Sequence, residues 1–332
     1  MLTLALLLLA ADPAVGVSQT YGDWAVACDN LKICEMTSLI GDDGDWPADG
    51  PLAASISRAP GPQGGFEIVV DSARATGSLT LAIDGKPVAQ AVPREGAVRF
   101  RGADAARIVA VLIDGTNLTL ANGKAVIAKV SLKGSSAALR FIDTGQGRAG
   151  TVTAAAAKGT KPATAVPAAP TVPRVPALRA SGAPATVSAA LRQQMEKRSG
   201  CDESATESDA ADKVQTFALG GGATLALLPC GSGAYNINSA PFVLRGGKAA
   251  VADIDYSGDG SGEAPMLTNA WWDAKTSMLS THAKGRGIGD CGESANYVWD
   301  GKGFVLIELR SMGECRGSIN WLRTWKAEPV YR

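Results

Sequence analysis

The chain predicts a mainly β protein: two β-rich, sandwich-like domains joined by an Ala/Pro-rich linker and a short helix. Three observations carry that expectation. Short runs of β-forming residues alternate with tight-turn signals, a proline-studded interval without acidic residues divides the chain, and six cysteines fall into three couples close in sequence. With 332 residues there is room for two ordinary domains.

The elements follow in order. Residues 1–18 read as a signal peptide, because Met1 to Ala11 form an apolar run of h-region length, followed by Asp12 and Pro13. The run is too short to span a bilayer. No basic residue precedes it, so either translation starts further upstream or the signal is atypical. Residues 19–149 read as the N-terminal β-rich domain. Phe66 to Val70, Leu79 to Ile83 and Leu118 to Ala121 are rich in β-formers, and Asp84-Gly85 and Asn122-Gly123 are hairpin turns because glycine accepts positive φ. Ala103 to Ile113 is open between a short helix capped by Asp104 and a strand.

Residues 150–186 read as the linker. No acidic residue occurs between Thr144 and Met195, and six prolines lie between Pro162 and Pro184. Such a composition forbids regular helix and favours extended polyproline chain, about 3.1 Å per residue, enough to hold two domains well apart. Its basic residues, Arg148, Lys158, Lys161, Arg174, Arg179 and Arg192, read either as solvated or as contacts for anionic wall or lipid. Residues 187–332 form the C-terminal domain. It opens on a helix over Val187 to Arg198 stopped by Gly200. Apolar runs at Lys213 to Leu219, Thr224 to Leu228, Ala249 to Ile254 and Phe304 to Leu309 then read as strands. Five of seven tryptophans lie here, which marks this half as the larger aromatic store.

Six cysteines allow 15 pairings in principle. Loop closure favours the near couples Cys28 with Cys34, Cys201 with Cys230 and Cys291 with Cys315. There is no CxxC, and one histidine cannot complete a Cys/His zinc site. Three disulfides therefore point to an oxidising compartment, periplasmic or extracellular. Equal numbers of basic and acidic residues, 32 each, argue against a nucleic-acid partner.

Gly22-Asp-Trp24, Cys28, Cys34-Glu-Met36, Val130 to Gly134 and Ala137 to Leu139 resemble the invasion-associated locus B family of exported bacterial proteins. Pro229 to Asn236, Leu279 to Gly292, Val298 to Gly301 and Cys315 to Gly317 resemble the bacterial envelope family called domain of unknown function 1176. The resemblance implies a periplasmic location, a β-rich fold and paired cysteines. It implies no reaction, catalytic residue or ligand.

The candidate sites rest on chemistry alone. Asp253, Asp255, Asp259 and Glu263 alternate oxygen side chains around Gly258, as a calcium loop does, yet the twelfth position is Ala264. Two readings stay open: a calcium site, or an acidic turn between strands. Lys284, Arg286 and Asp290 share a glycine-rich stretch that reads as an anion site or as a turn beside Cys291, with a cation paired to Asp290. Trp271 and Trp272 alternate across a strand, so one faces out as a candidate contact residue. His282, two residues from Ser280, is the single imidazole available to a hydrolase, and no nucleophile elbow accompanies it. The function expected is a non-enzymatic binding or interaction module with no cofactor, recognising a periplasmic protein or cell-wall component. The alternatives are a calcium-stabilised structural protein and, behind it, a hydrolase.

Overall fold

The computed structural model describes residues 14–41, 53–72, 75–201, 213–255 and 265–332. The N-terminal domain is built from β1 (Ser18–Tyr21), β2 (Trp24–Cys28), β3 (Cys34–Ser38), β4 (Ala54–Arg58), β5 (Phe66–Asp71), β6 (Leu79–Ile83), β7 (Lys86–Ala91), β8 (Ala97–Arg101), α1 (Gly102–Leu112), β9 (Asn117–Asn122), β10 (Ala125–Ser131) and α2 (Ser135–Gly145). An antiparallel sheet runs β1-β2-β3-β4-β5-β8, and a second runs β10-β9-β6-β7. Alternation sorts their faces. Met36, Ile56, Ile68, Val70 and Phe100 enter a core shared with Leu81, Leu118, Leu120 and the helix residues Ile108, Leu112, Leu139 and Ile142.

The helix alternative holds for Ala103 to Ile113, but Asp104 lies in the first turn and bonds to Arg107, while Arg101 occupies the cap position. Helix α2 is not foreseen as an element. Its Ala138, Leu139 and Ile142 recur at helical spacing and are buried.

Segment 150–186 departs from the free spacer expected of it. The carboxylate of Asp143 accepts the backbone N–H groups of Ala155, Ala156 and Ala157 at 2.8 to 2.9 Å. Farther on, β11 (Arg174–Ala177) pairs in parallel with the C-terminal β22 (Glu328–Tyr331). Leu178 N–H then bonds to Trp299 O, Ala180 N–H to Ser277 Oγ and Ala185 N–H to Thr224 Oγ1. Small side chains let this backbone lie close to its neighbours, which capture its donors one by one. Arg148, expected in solvent or on an anionic surface, is fully buried. It bonds to Gln146, Thr153 and the carbonyl of Gly61. Beside it Arg58 meets Asp143 at 3.1 Å, and burial together with the Arg148 charge brings Arg58 down to about 10.

The C-terminal domain begins with α3 (Ala189–Ser199), capped by Ser188 and closed by Gly200 at φ 71°. Then come β12 (Gln215–Gly220), β13 (Ala223–Ser232), β14 (Ile237–Arg245), β15 (Lys248–Val251) and β16 (Leu267–Thr268) in one sheet. β17 (Trp271–Asp273), β18 (Met278–Lys284), β19 (Gly292–Trp299), β20 (Phe304–Met312) and β21 (Leu322–Lys326) form another. Leu225, Leu227, Trp272, Leu279, Tyr297, Trp299 and Phe304 pack between them. Ala226 and Leu228, on the other face of β13, pack with Leu191 and Met195 of α3.

All three disulfides join the near couples: Cys28–Cys34, Cys201–Cys230 and Cys291–Cys315. Of the residues 1–18 read as a signal peptide, 1–13 lie outside the described residues. Val15 and Gly16 belong to the folded body, Gly16 N–H bonding to Thr324 O.

Candidate functional site

The two domains touch directly, and β2 shows how. Trp24, Val26 and Cys28 point into the N-terminal core. Ala25 and Ala27, on the opposite face, join Leu39 in an apolar cluster with Cys291, Met312, Trp321 and Leu322 from the other domain. Polar clamps surround this cluster. Arg316 donates to Asp23 Oδ1 at 2.6 Å, to Gly22 O and to Ile40 O. Arg323 donates to Asp29 at 2.9 Å, Asn30 and Lys326 exchange side-chain and backbone bonds, and Thr37 meets the buried Ser318 at 3.0 Å. The Cys291–Cys315 bond anchors the loop that carries Arg316, Ser318 and Trp321.

Beside the clamps the solvent faces of two sheets bound a cleft of about 610 Å³. Strand register sets one wall: Glu35 pairs with Ser57, Ser57 with Glu67 and Glu67 with Arg101, while Thr37, Ser55, Val69 and Arg99 form the next row. The facing wall is the row His282, Ser294 and Arg310 across β18, β19 and β20. Successive strand residues face opposite ways, so the core positions already assigned force these polar ones outward. The loop Ile319 to Trp321 closes one end.

Charges alternate along the cleft. Arg310 Nη1 lies 3.7 Å from Glu35, and its Nε lies 3.1 Å from Glu308, which also takes Lys326 Nζ at 3.1 Å. Glu67 sits 2.6 Å from Arg101 and 3.7 Å from Arg99. Burial pushes Glu308 upward, but the Lys326 hydrogen bond and the charges of Arg310 and Lys326 carry it below the usual carboxylate range. The His282 ring stacks on Trp321 at 4.6 Å and 6°. Burial, then the Lys284 charge, holds it below its ordinary value, so the neutral ring prevails at pH 7.

The residues singled out from sequence scatter around this cleft. His282 lines it, but Ser280 Oγ lies 2.7 Å from Asn296 Oδ1 and the two make no Ser/His pair. Arg286 holds Asp290 through two bonds of 2.7 and 2.5 Å, and Asp290 accepts Gly317 N–H, which ties the glycine-rich turn to the clamp loop. Those Arg286 bonds depress the Asp290 carboxyl. Lys284 contributes its backbone, exchanging bonds with Asn236. Gly292 at φ 136° runs so close to Ala283 O that a Cβ would lie 2.0 Å from it, so glycine is required there. Trp272 is buried, and Trp271 is 49% exposed on the edge strand β17, away from the cleft lining.

Asp259 and Glu263 lie outside the described residues. Asp255 accepts Leu306 N–H with both oxygens, and the backbone carbonyl of Asp253 accepts Phe304 N–H beside it. No group of three His, Cys, Asp or Glu gathers among the described residues. Glu35, Glu67, Arg99, Arg310 and Trp321 were not singled out as site residues from sequence. Their strands signal outward positions by alternation, but which outward faces meet depends on contacts nearly 300 residues apart in the chain.

A family model described as "Protein of unknown function (DUF1176)" matches residues 18–328, both domains and the segment between them. "Uncharacterized protein YpfG" of Escherichia coli (strain K12) is 28% identical, over 94% of this chain and 93% of its own length. Among solved structures, invasion associated protein B of Bartonella henselae is 21% identical at a TM-score of 0.30, covering 39% of this chain and 96% of its own.

Proposed function

The chain belongs to the family of unknown function DUF1176, and from that premise we propose a non-enzymatic binding protein of the cell envelope whose ligand lies in the cleft between its domains. One observation carries the reading: two polar sheet faces from different domains enclose a cleft in which carboxylates and guanidiniums alternate. Such a lining suits an extended ligand bearing both charges and hydrogen-bonding groups, that is, peptide, from a neighbouring envelope protein or from the cell wall. Hydroxyls of Ser55 and Ser57 and the amide of Asn320 add donors and acceptors without charge. Three disulfides suit an oxidising compartment. Among the described residues no helix is long and apolar enough to cross a membrane.

A photo-crosslinker at Ile319, 68% exposed on the cleft rim, tests the reading against one at Val126, 62% exposed in the N-terminal domain outside the cleft lining. In native envelope extract the Ile319 position is expected to capture a discrete species that Val126 does not, and Arg99→Ala should reduce that capture. Equal capture at both positions would refute the cleft as the site.

A further inference from the structure

A second cavity, of about 830 Å³, lies on the C-terminal domain away from the interdomain cleft, between the end of α3, the β14–β15 hairpin and the loop before β20. Four cations line it, Arg198, Arg245, Lys248 and Lys302, with Asp253 as the one carboxylate in its wall. The bonds of its two guanidiniums go to neutral carbonyls: Arg198 donates to Ala249 O at 2.7 Å, and Arg245 to Gly301 O at 2.8 Å. Among the described residues none of the four cations forms an ion pair. Several guanidiniums elsewhere are neutralised at close range, as at Arg286–Asp290, Arg316–Asp23 and Arg323–Asp29.

Local structure explains only one of these charges. Arg198 stands in the last turn of α3, where a cation complements the helix dipole. Arg245 and Lys248 face each other directly across the Gly246-Gly247 turn, with φ of 54° and 76°. Like charges in opposing register weaken a hairpin. Lys302 adds a third positive side chain from another loop. The wall beneath is Trp299, whose ring centre lies 5.7 Å from the Arg245 guanidinium and whose buried indole N–H has no acceptor.

The geometry points to an anion site here, one that takes a phosphate group: two guanidinium forks and two mobile ammonium groups suit the several oxygens of a phosphate better than a single carboxylate. A lipid headgroup and a free phosphate share that chemistry. The ligand supplies the negative charge that the fold leaves out, and the cost of opposing Arg245 to Lys248 is offset only when it is bound.

The test uses the full chain and a Lys248→Gln/Lys302→Gln variant, both positions exposed. A Lys86→Gln/Lys124→Gln variant, exposed on the N-terminal domain, carries the same change in net charge. Each is titrated with inorganic phosphate and, separately, sedimented with vesicles of phosphatidylcholine with and without phosphatidylglycerol. The site variant is expected to lose affinity on the order of thirtyfold, two cations at the usual increment per basic side chain near anionic lipid, while the control stays at wild type. Binding to vesicles alone assigns the site to lipid; binding of inorganic phosphate as well assigns it to free phosphate. No binding of either probe by the wild type, or an equal loss in the control variant, overturns the proposal.

Discussion

Arg316→Ala should loosen the pairing of the domains while leaving each core intact. Among the described residues the guanidinium makes three bonds across the boundary, at 2.8 Å to Ile40 O, 2.9 Å to Gly22 O and 2.6 Å to Asp23. Its side chain is 19% exposed and that of Asp23 6%, so solvent screens the pair only partly. A charge-assisted bond contributes about 1.5–3 kcal/mol, and stranding a buried carboxylate raises the cost toward about 3–5 kcal/mol. Discounted for the exposed fraction of Arg316, the expected loss is about 3 kcal/mol. It should fall on domain association, so urea unfolding followed by tryptophan fluorescence should broaden or split into two transitions. Small-angle scattering should then show a larger radius before the main transition. Arg316→Lys keeps the charge but not the three-way fork, and should recover only part of the loss. An unfolding free energy lowered by less than about 0.5 kcal/mol, with an unchanged slope, would refute the view that these contacts hold the domains together.

Asp143→Ala should be among the most damaging single changes. It strips the carboxylate from buried Arg58 and frees the N–H groups of Ala155, Ala156 and Ala157. A loss of about 3–5 kcal/mol is expected, with new proteolytic cleavage near Ala155; wild-type resistance there would contradict it. His282 should titrate below the usual histidine value in an NMR pH series, because burial and Lys284 both disfavour its charged form. The sign follows: the unfolded chain takes up this proton near pH 6.5 while the folded chain resists. This contribution is therefore lost progressively as pH falls below about 6.5, and is fully present above it. His282→Gln should flatten that part of the stability profile, and an unchanged profile would show that the ring titrates freely.

What could be read without coordinates was local. The Asp84-Gly85 hairpin is a matter of two residues that accept positive φ, 47° and 74°, and β6 ends where the run of β-formers ends. Helix α3 carries its own start and stop in Ser188 and Gly200. The near-couple disulfides follow from short loops. Helix α2 escaped because it is short and its cap is Gly134, at φ 92°, with no side-chain hydrogen bond to announce it. Composition misled over the connecting segment. Alanine and proline without acids describe a chain with no core of its own, but not whether neighbours supply partners. Here the acceptors are Asp143, Ser277, Thr224 and Trp299 O, some within a dozen residues and others about a hundred away. Arg148 was hidden for the same reason. In the cleft His282 was legible as a rare residue, whereas Glu35 and Arg310 meet only because two sheets face each other.

The alanines of β2 bear on how that cleft would work. A strand buried on one face only would tolerate polar residues at alternate positions. Positions 25 and 27 are instead small, apolar and almost fully buried, and they let Trp321 and Leu322 of the other domain approach the sheet. The connecting segment is likewise bonded to both domains along its length, and the Cys291–Cys315 bond fixes the loop between them. Three independent constraints thus set the distance between the two cleft walls before any ligand arrives. A ligand entering such a preformed site need not supply the ordering of two tethered modules, a term that otherwise subtracts from affinity. Binding in the cleft should accordingly proceed with side-chain adjustment at Arg99, Arg310 and Ile319 and without rotation of one domain against the other.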